Sequence, residues 1–136
     1  MKKILAIALI STLIISSCSP KLSPDNNWSK SRWVLIEMKG VPVQLGGGGR
    51  DAHLEFTPAE KRFAGNGGCN HISGTYTLEK KEIHFNDVIS TKMSCADINF
   101  ETAFLNTLKD VDRYEVDGNQ MKLKDGRKVI LVLQSR

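Results

Sequence analysis

The chain has 136 residues, 40% of them hydrophobic and 25% charged, and a formal charge of +4. A length of this order suits one ordinary domain. So mild a basic balance, with no Lys/Arg cluster, excludes the electrostatic footprint of a nucleic-acid binder.

Lys2 and Lys3 precede an apolar run over residues 4–15, and Ile15-Ser16-Ser17-Cys18 follows. A basic start, a short apolar segment and a small-residue cut site describe a secretory signal. The run is shorter than the about 20 residues that a bilayer span needs. Ile15-Ser16-Ser17-Cys18 resembles the bacterial lipobox, so residues 1–17 are expected to be a lipoprotein signal peptide and Cys18 the lipid-bearing first residue of the mature chain. Acyl chains contribute about 0.8 kcal/mol per buried methylene, enough together to hold a domain on a membrane. Taking off the 17-residue leader leaves 119 residues and, with Lys2 and Lys3 gone, a formal charge of +2.

Residues 18–31 are rich in Ser, Pro, Asn and Lys and offer little to bury, which reads as a flexible tether. Asn27-Trp28-Ser29 fits a glycosylation pattern that carries no weight in a bacterial lipoprotein. The folded domain is then expected over residues 32–136. Its two cysteines, Cys69 and Cys95, form an even pair in an oxidising compartment and are expected to form a disulfide. Closing that 26-residue separation is worth roughly 3–4 kcal/mol in the chain-entropy model.

From residue 32 short apolar runs alternate with turn signals. Trp33 to Ile36 predicts a first strand, Gly40-Val41-Pro42 a turn, and Gly46 to Gly49 a permissive loop. Leu54 and Phe56 alternate with His53 and Glu55 until Pro58. Phe63 starts a strand that runs into Gly65-Asn66-Gly67-Gly68-Cys69-Asn70-His71. Tyr76 and Leu78, a turn at Lys80-Lys81, then Ile83 and Phe85 predict a hairpin, with a further extended piece over residues 87–92. Phe100, Phe104, Leu105, Leu108 and Val111 recur at spacings of three and four, one helical stripe, and Ser94 to Asp97 fits a capping box before it. Asp117-Gly118 and Asp125-Gly126 are hairpin signals in a C-terminal meander. Val129 to Leu133 is uniformly apolar, as in a strand buried on both faces. The pattern predicts a mainly β fold, a small, strongly twisted antiparallel β-barrel with one packed α-helix.

The glycine-rich stretch admits several chemistries. As a phosphate loop it lacks the third glycine of G-x-G-x-x-G, a Walker lysine and a following helix. As a metal site, Cys69 and His71 with Met93 and Cys95 offer sulfur and imidazole ligands suited to copper or zinc, but without the C-x-x-C spacing of a strong zinc motif. As a catalytic site, Cys95 near a helix start with His71 as base would need a free thiol, which the disulfide removes. No other catalytic motif is present, so no enzyme and no cofactor are expected.

Gly65-Asn66-Gly67-Gly68-Cys69-Asn70 with Ser73-Gly74-Thr75-Tyr76 resembles the GxxGCNxxxGxY signature of the META domain, a family that includes HslJ-like lipoproteins. Thr91-Lys92-Met93-Ser94-Cys95 resembles its TxMAC signature with serine for alanine, and Glu101, Phe104-Leu105 and Leu108 match its ExxFLxxL helix. The resemblance spans about residues 32 to 133. It implies a lipocalin-like twisted barrel with a packed helix and no established catalysis, and family ties to heat shock, secretion, motility or copper-stress lipoproteins. The shared Asn, Thr and Met fall on Asn70, Thr91 and Met93. These, with His71, are the binding candidates, although turn architecture is the favoured role. The expected protein is a monomeric, non-enzymatic envelope lipoprotein on the periplasmic face of the outer membrane. It would bind or stabilise an envelope protein or small ligand under stress; a copper- or zinc-responsive module is the alternative. Core filling by Phe56, Tyr76, Phe85 and Phe104 would leave no room for an apolar ligand inside a barrel.

Overall fold

The computed structural model describes residues 26–46 and 51–136; the expected leader, Cys18, the tether before Asn26 and residues 47–50 of the glycine loop lie outside the described residues. Nine strands follow in chain order: β1 (Trp33–Met38), β2 (Val41–Pro42), β3 (His53–Thr57), β4 (Arg62–Asn66), β5 (His71–Glu79), β6 (Glu82–Ser90), β7 (Arg113–Asp117), β8 (Gln120–Asp125) and β9 (Lys128–Ser135). Among the described residues one α-helix, α1 (Ile98–Lys109), connects β6 to β7. Every pairing is antiparallel, in the order β2-β1-β3-β4-β5-β6-β7-β8-β9. Because β1 also pairs with β9, β1 and β3 to β9 form a ring of neighbours. The shortest ladder in the ring is β6 to β7, with the single pair Glu82↔Arg113. Helix α1 packs along β6.

Local chemistry accounts for the turns. Asp117↔Gln120 and Asp125↔Lys128 close two-residue hairpins, with Gly118 at φ 58° and Gly126 at φ 57°, the left-handed conformation that such turns require. Lys80-Lys81 turns between Glu79 and Glu82 as expected. The first turn sits one residue earlier than the sequence suggests. Met38 pairs with Val41, so the corner residues are Lys39 and Gly40, and Val41-Pro42 is an edge strand. The extended piece expected over residues 87–92 is the continuation of β6 to Ser90, bent where the β5–β6 register shifts and Asp87 takes φ 51°.

Alternation sends Trp33, Leu35, Leu54, Phe63, Ile83 and Leu123 into one core, which Phe104, Leu108 and Val111 of the helix region complete. Phe56, Tyr76, Phe85 and Phe104 all lie in that core. Residues Ile130 to Leu133 are buried in succession, so β9 is covered on both faces as its uniform sequence predicts. The helix begins at Ile98 with Asp97 as its cap residue, and no side chain caps it. The capping box expected at Ser94 therefore does not form. Backbone carbonyl capping replaces it, since Phe100 N donates to Asp97 O at 3.0 Å.

The packed structure also starts earlier than composition indicates. Asn26–Lys30 is a 3-10 turn, and Trp28, placed in the tether by its polar neighbours, is only 8% exposed. Its ring meets Phe56 edge-on at 4.8 Å and lies 5.8 Å from Tyr114, while its carbonyl accepts Trp33 Nε1 at 2.6 Å. Burial raises the phenol pKa of both Tyr76 and Tyr114, with the Tyr114 hydroxyl as a second cause at Tyr76.

Candidate functional site

Strands β4 and β5 are joined through Gly67-Gly68-Cys69-Asn70, with Asn66↔His71 as the last ladder pair. Gly67 N donates to Asn70 O at 2.8 Å, and Asn66 Oδ1 accepts Gly68 N at 2.7 Å. Two glycines are dictated by this geometry. Gly68 has φ 109°, and a Cβ on Gly67 would stand 2.6 Å from Glu101 Cγ.

Glu101 is the centre of the corner. It projects from the first turn of α1 and is 2% exposed. Its Oε2 accepts Asn70 N at 2.6 Å and Cys69 N at 3.2 Å, and its Oε1 accepts Asn70 Nδ2 at 2.9 Å. A buried carboxylate is tolerable only where hydrogen bonds replace its water. Here three N–H donors do so.

Asn70, 1% exposed, relays this anchoring to the next segment. Its Oδ1 accepts Thr91 Oγ1 at 2.9 Å and Met93 N at 2.6 Å. Its Nδ2 also lies 3.4 Å from Met93 O and 3.3 Å from Cys69 Sγ. Every polar atom of the Asn70 side chain is engaged, so a ligand could not reach it without breaking the corner. The expected bridge is present: Cys69 and Cys95 are bonded, with Cα atoms 6.0 Å apart. One carboxylate, one amide and one disulfide thus tie the β4–β5 loop to the segment before the helix.

Beside this knot lies a groove of about 880 Å³, lined by Met38, Val41, Val43, Leu45, Phe100, Met93 and the two bridged cysteines among others. Val41 is 66% and Met93 55% exposed on its rim, and Asp51 and Asp97 are its acidic members. Volume and lining are those of a small-ligand or side-chain site.

His71 is not part of the groove. It is exposed on β5 and lines a separate, shallower depression of about 520 Å³ with His53, Glu55 and Thr91. The combination of Cys69, His71, Met93 and Cys95 is therefore split between two surfaces, and both thiols are consumed by their mutual bond. Among the described residues no group of three or more His, Cys, Asp or Glu side chains is placed to hold a metal ion.

Sequence reasoning missed Glu101 as a functional position. The signal was present, because Glu101 sits three residues before Phe104 and seven before Leu108, on the apolar stripe itself. A carboxylate on a buried stripe demands partners, and these come from the glycine-rich loop.

The fold and this corner define a class: a mainly antiparallel β domain with one helix, whose loops are tied at one end by a disulfide and a buried carboxylate. Residues 26–136 match the META domain, and the chain belongs to that family. Three solved structures share the fold. A protein from Burkholderia xenovorans solved by NMR has 23% identity and a TM-score of 0.63, over 79% of this chain and 83% of its own. A second NMR structure has 23% identity and a TM-score of 0.62, over 78% and 89%. A DUF4847-family protein from Bacteroides vulgatus has 15% identity and a TM-score of 0.57, over 79% and 94%. No curated protein matches the chain.

Proposed function

We propose that this META-domain protein is a lipid-anchored envelope protein that acts by binding, with the groove beside the Cys69–Cys95 bond as its contact surface. In this reading the ring of strands is a small, twisted barrel of the lipocalin-like type, filled by its own side chains. The carrying observation is the placement of the groove relative to the chain's entry. Trp28 packs on Phe56, toward the ends of β3 and β4 that meet at the Pro58 turn. The groove is built at the other ends of these strands, from the β1–β2 turn region, the β4–β5 loop and residues 93–97. Seven residues, Ser19 to Asp25, separate Cys18 from Asn26, and the eight steps between those two residues reach at most about 29 Å. An acyl anchor on Cys18 would hold the domain close to the bilayer, and the groove lies at the end of the domain away from the chain's entry. Its partner is then an envelope protein or small molecule met on the side facing the compartment, in keeping with a stress-response role at the outer membrane.

Two measurements test this. Metabolic labelling with a fatty acid should tag the chain, and Cys18→Ser should abolish both the label and membrane fractionation. Crosslinking in cells before and after heat stress should capture a partner that is lost in Val41→Asp and Met93→Asp. These substitutions sit on exposed rim positions, where the fold tolerates change. A chain that carries no lipid, or a captured partner indifferent to both rim substitutions, would sink the proposal.

A further inference from the structure

We infer that Cys69–Cys95 is an exchangeable disulfide, one that a dithiol protein can reduce while the domain stays folded, with Cys95 as the sulfur attacked and Cys69 as the leaving thiolate. This goes beyond the binding role and requires neither the lipid nor a groove ligand.

Three observations carry it. The first is access, since both cysteines are partly exposed and line the open groove. The second is an asymmetry between the two sulfurs. Asn70 Nδ2 has two hydrogens, of which one goes to Glu101 Oε1 at 2.9 Å. The other is shared between Met93 O at 3.4 Å and Cys69 Sγ at 3.3 Å. When the sulfur bond breaks, that second N–H can move wholly onto a Cys69 thiolate. Once protonated, a Cys69 thiol would have Met93 O at 3.7 Å as its acceptor. Cys95 Sγ has no hydrogen-bond partner among the described residues. Glu101 opposes a negative sulfur nearby, but the Asn70 amide stands between them and presents its positive end to Cys69. A thiol whose anion is stabilised leaves faster, so the geometry selects Cys69 as leaving group.

The third observation is redundancy. Five hydrogen bonds hold the corner without the sulfur bond: Asn70 N, Asn70 Nδ2 and Cys69 N to Glu101, and Thr91 Oγ1 and Met93 N to Asn70 Oδ1. What the bridge restrains beyond these bonds is the stretch from Ser94 to Ala96, which leads to the Asp97 carbonyl held by the helix; it is a wall of the groove whose side chains make no hydrogen bond among the described residues. Reduction would loosen that wall and leave the core in place.

The chemistry balances without a cofactor. A thiolate of the partner bonds to Cys95 Sγ, the bond to Cys69 Sγ breaks, and its electron pair leaves on Cys69. The partner's second thiol then displaces Cys95 from the mixed disulfide. Overall this chain gains two electrons and two protons, and the partner's dithiol becomes a disulfide.

The test uses the mature chain carrying Cys18→Ser, so that Cys69 and Cys95 are its only cysteines. Dithiothreitol is added in native buffer, thiols are alkylated, and alkyl groups are counted by mass. The expected result is two alkyl groups on a chain with native circular dichroism, at a rate that doubles when dithiol is doubled. Hydrogen exchange should rise in peptides spanning residues 94–97 and stay unchanged across β4 and β5. With the monothiol glutathione followed by acid trapping, the adduct should map to Cys95. A rate independent of dithiol concentration would mean that reduction waits for unfolding, and would overturn the inference. Loss of the native spectrum on reduction, or an adduct found mainly on Cys69, would also overturn it.

Discussion

A single carboxylate accepts from both nitrogens of one asparagine: Glu101 Oε2 accepts Asn70 N at 2.6 Å, and Glu101 Oε1 accepts Asn70 Nδ2 at 2.9 Å. The two residues are 31 positions apart, one on a glycine-rich loop and the other on the helix. This bidentate contact is what turns the loop into a rigid corner and sets one side of the groove.

Glu101→Gln should therefore be costly despite its similar shape. The new amide would aim donors at N–H groups that already need an acceptor, leaving at least one buried donor unpaired. A loss of about 2–3 kcal/mol is expected in urea unfolding. At the usual scale of about 4–8 °C per kcal/mol, melting should fall by about 8–24 °C. A change below about 0.5 kcal/mol, the range of an ordinary surface substitution, would show that the carboxylate does not hold the corner.

Replacing both cysteines by serine should destabilise without unfolding. The bridge spans 26 residues and constrains the unfolded chain by roughly 3–4 kcal/mol, while the hydrogen bonds to Glu101 and Asn70 remain. Thermal unfolding should shift down with its cooperativity intact, and the far-ultraviolet spectrum at room temperature should be that of the parent. A double variant without cooperative melting would contradict this division of labour.

Trp28 belongs to the domain, so the point at which the chain is cut matters. A protein starting at Ser31 loses the ring packed on Phe56 and the carbonyl that holds Trp33 Nε1. That truncation, or Trp28→Ala in the longer chain, should cost about 3–5 kcal/mol, as for other large core deletions. Equal stability of chains starting at Asn26 and Ser31 would refute it.

Both tyrosines of the sequence, Tyr76 and Tyr114, have phenol pKa values raised above 10.0, chiefly by burial. A raised folded value means that the fold favours the neutral phenol. The associated stability is complete below pH 10.0, the unfolded value, and is lost as pH climbs through the folded values. The phenolate absorbance of the native protein should thus rise at higher pH than in denaturant. A native titration that overlays the denatured one would disprove the assignment.

Much of this architecture was legible in the sequence because its causes are local. Asp-Gly pairs set the last two hairpins, Lys80-Lys81 the middle one, and period-two alternation marked Leu54 with Phe56 and Ile83 with Phe85 as core. The helix showed in the stripe from Phe100 to Val111. The errors were local as well. Lys39 takes a left-handed corner that its side chain does not advertise, and the capping box at Ser94 gave way to a helix that starts at Ile98.

By itself, the sequence determined the kind of elements and their order, the pairing of two cysteines, and membership of the META domain. Periodicity and turn chemistry act over a few residues, so they can be read without the fold. Only the tertiary structure decided that Glu101 is the anchor of the glycine loop, that Trp28 seals the core, and that His71 lies on a different surface from the sulfurs. Those facts depend on which strands meet around the ring. Partners far apart in sequence are brought within hydrogen-bond reach by packing, and no local pattern records that distance.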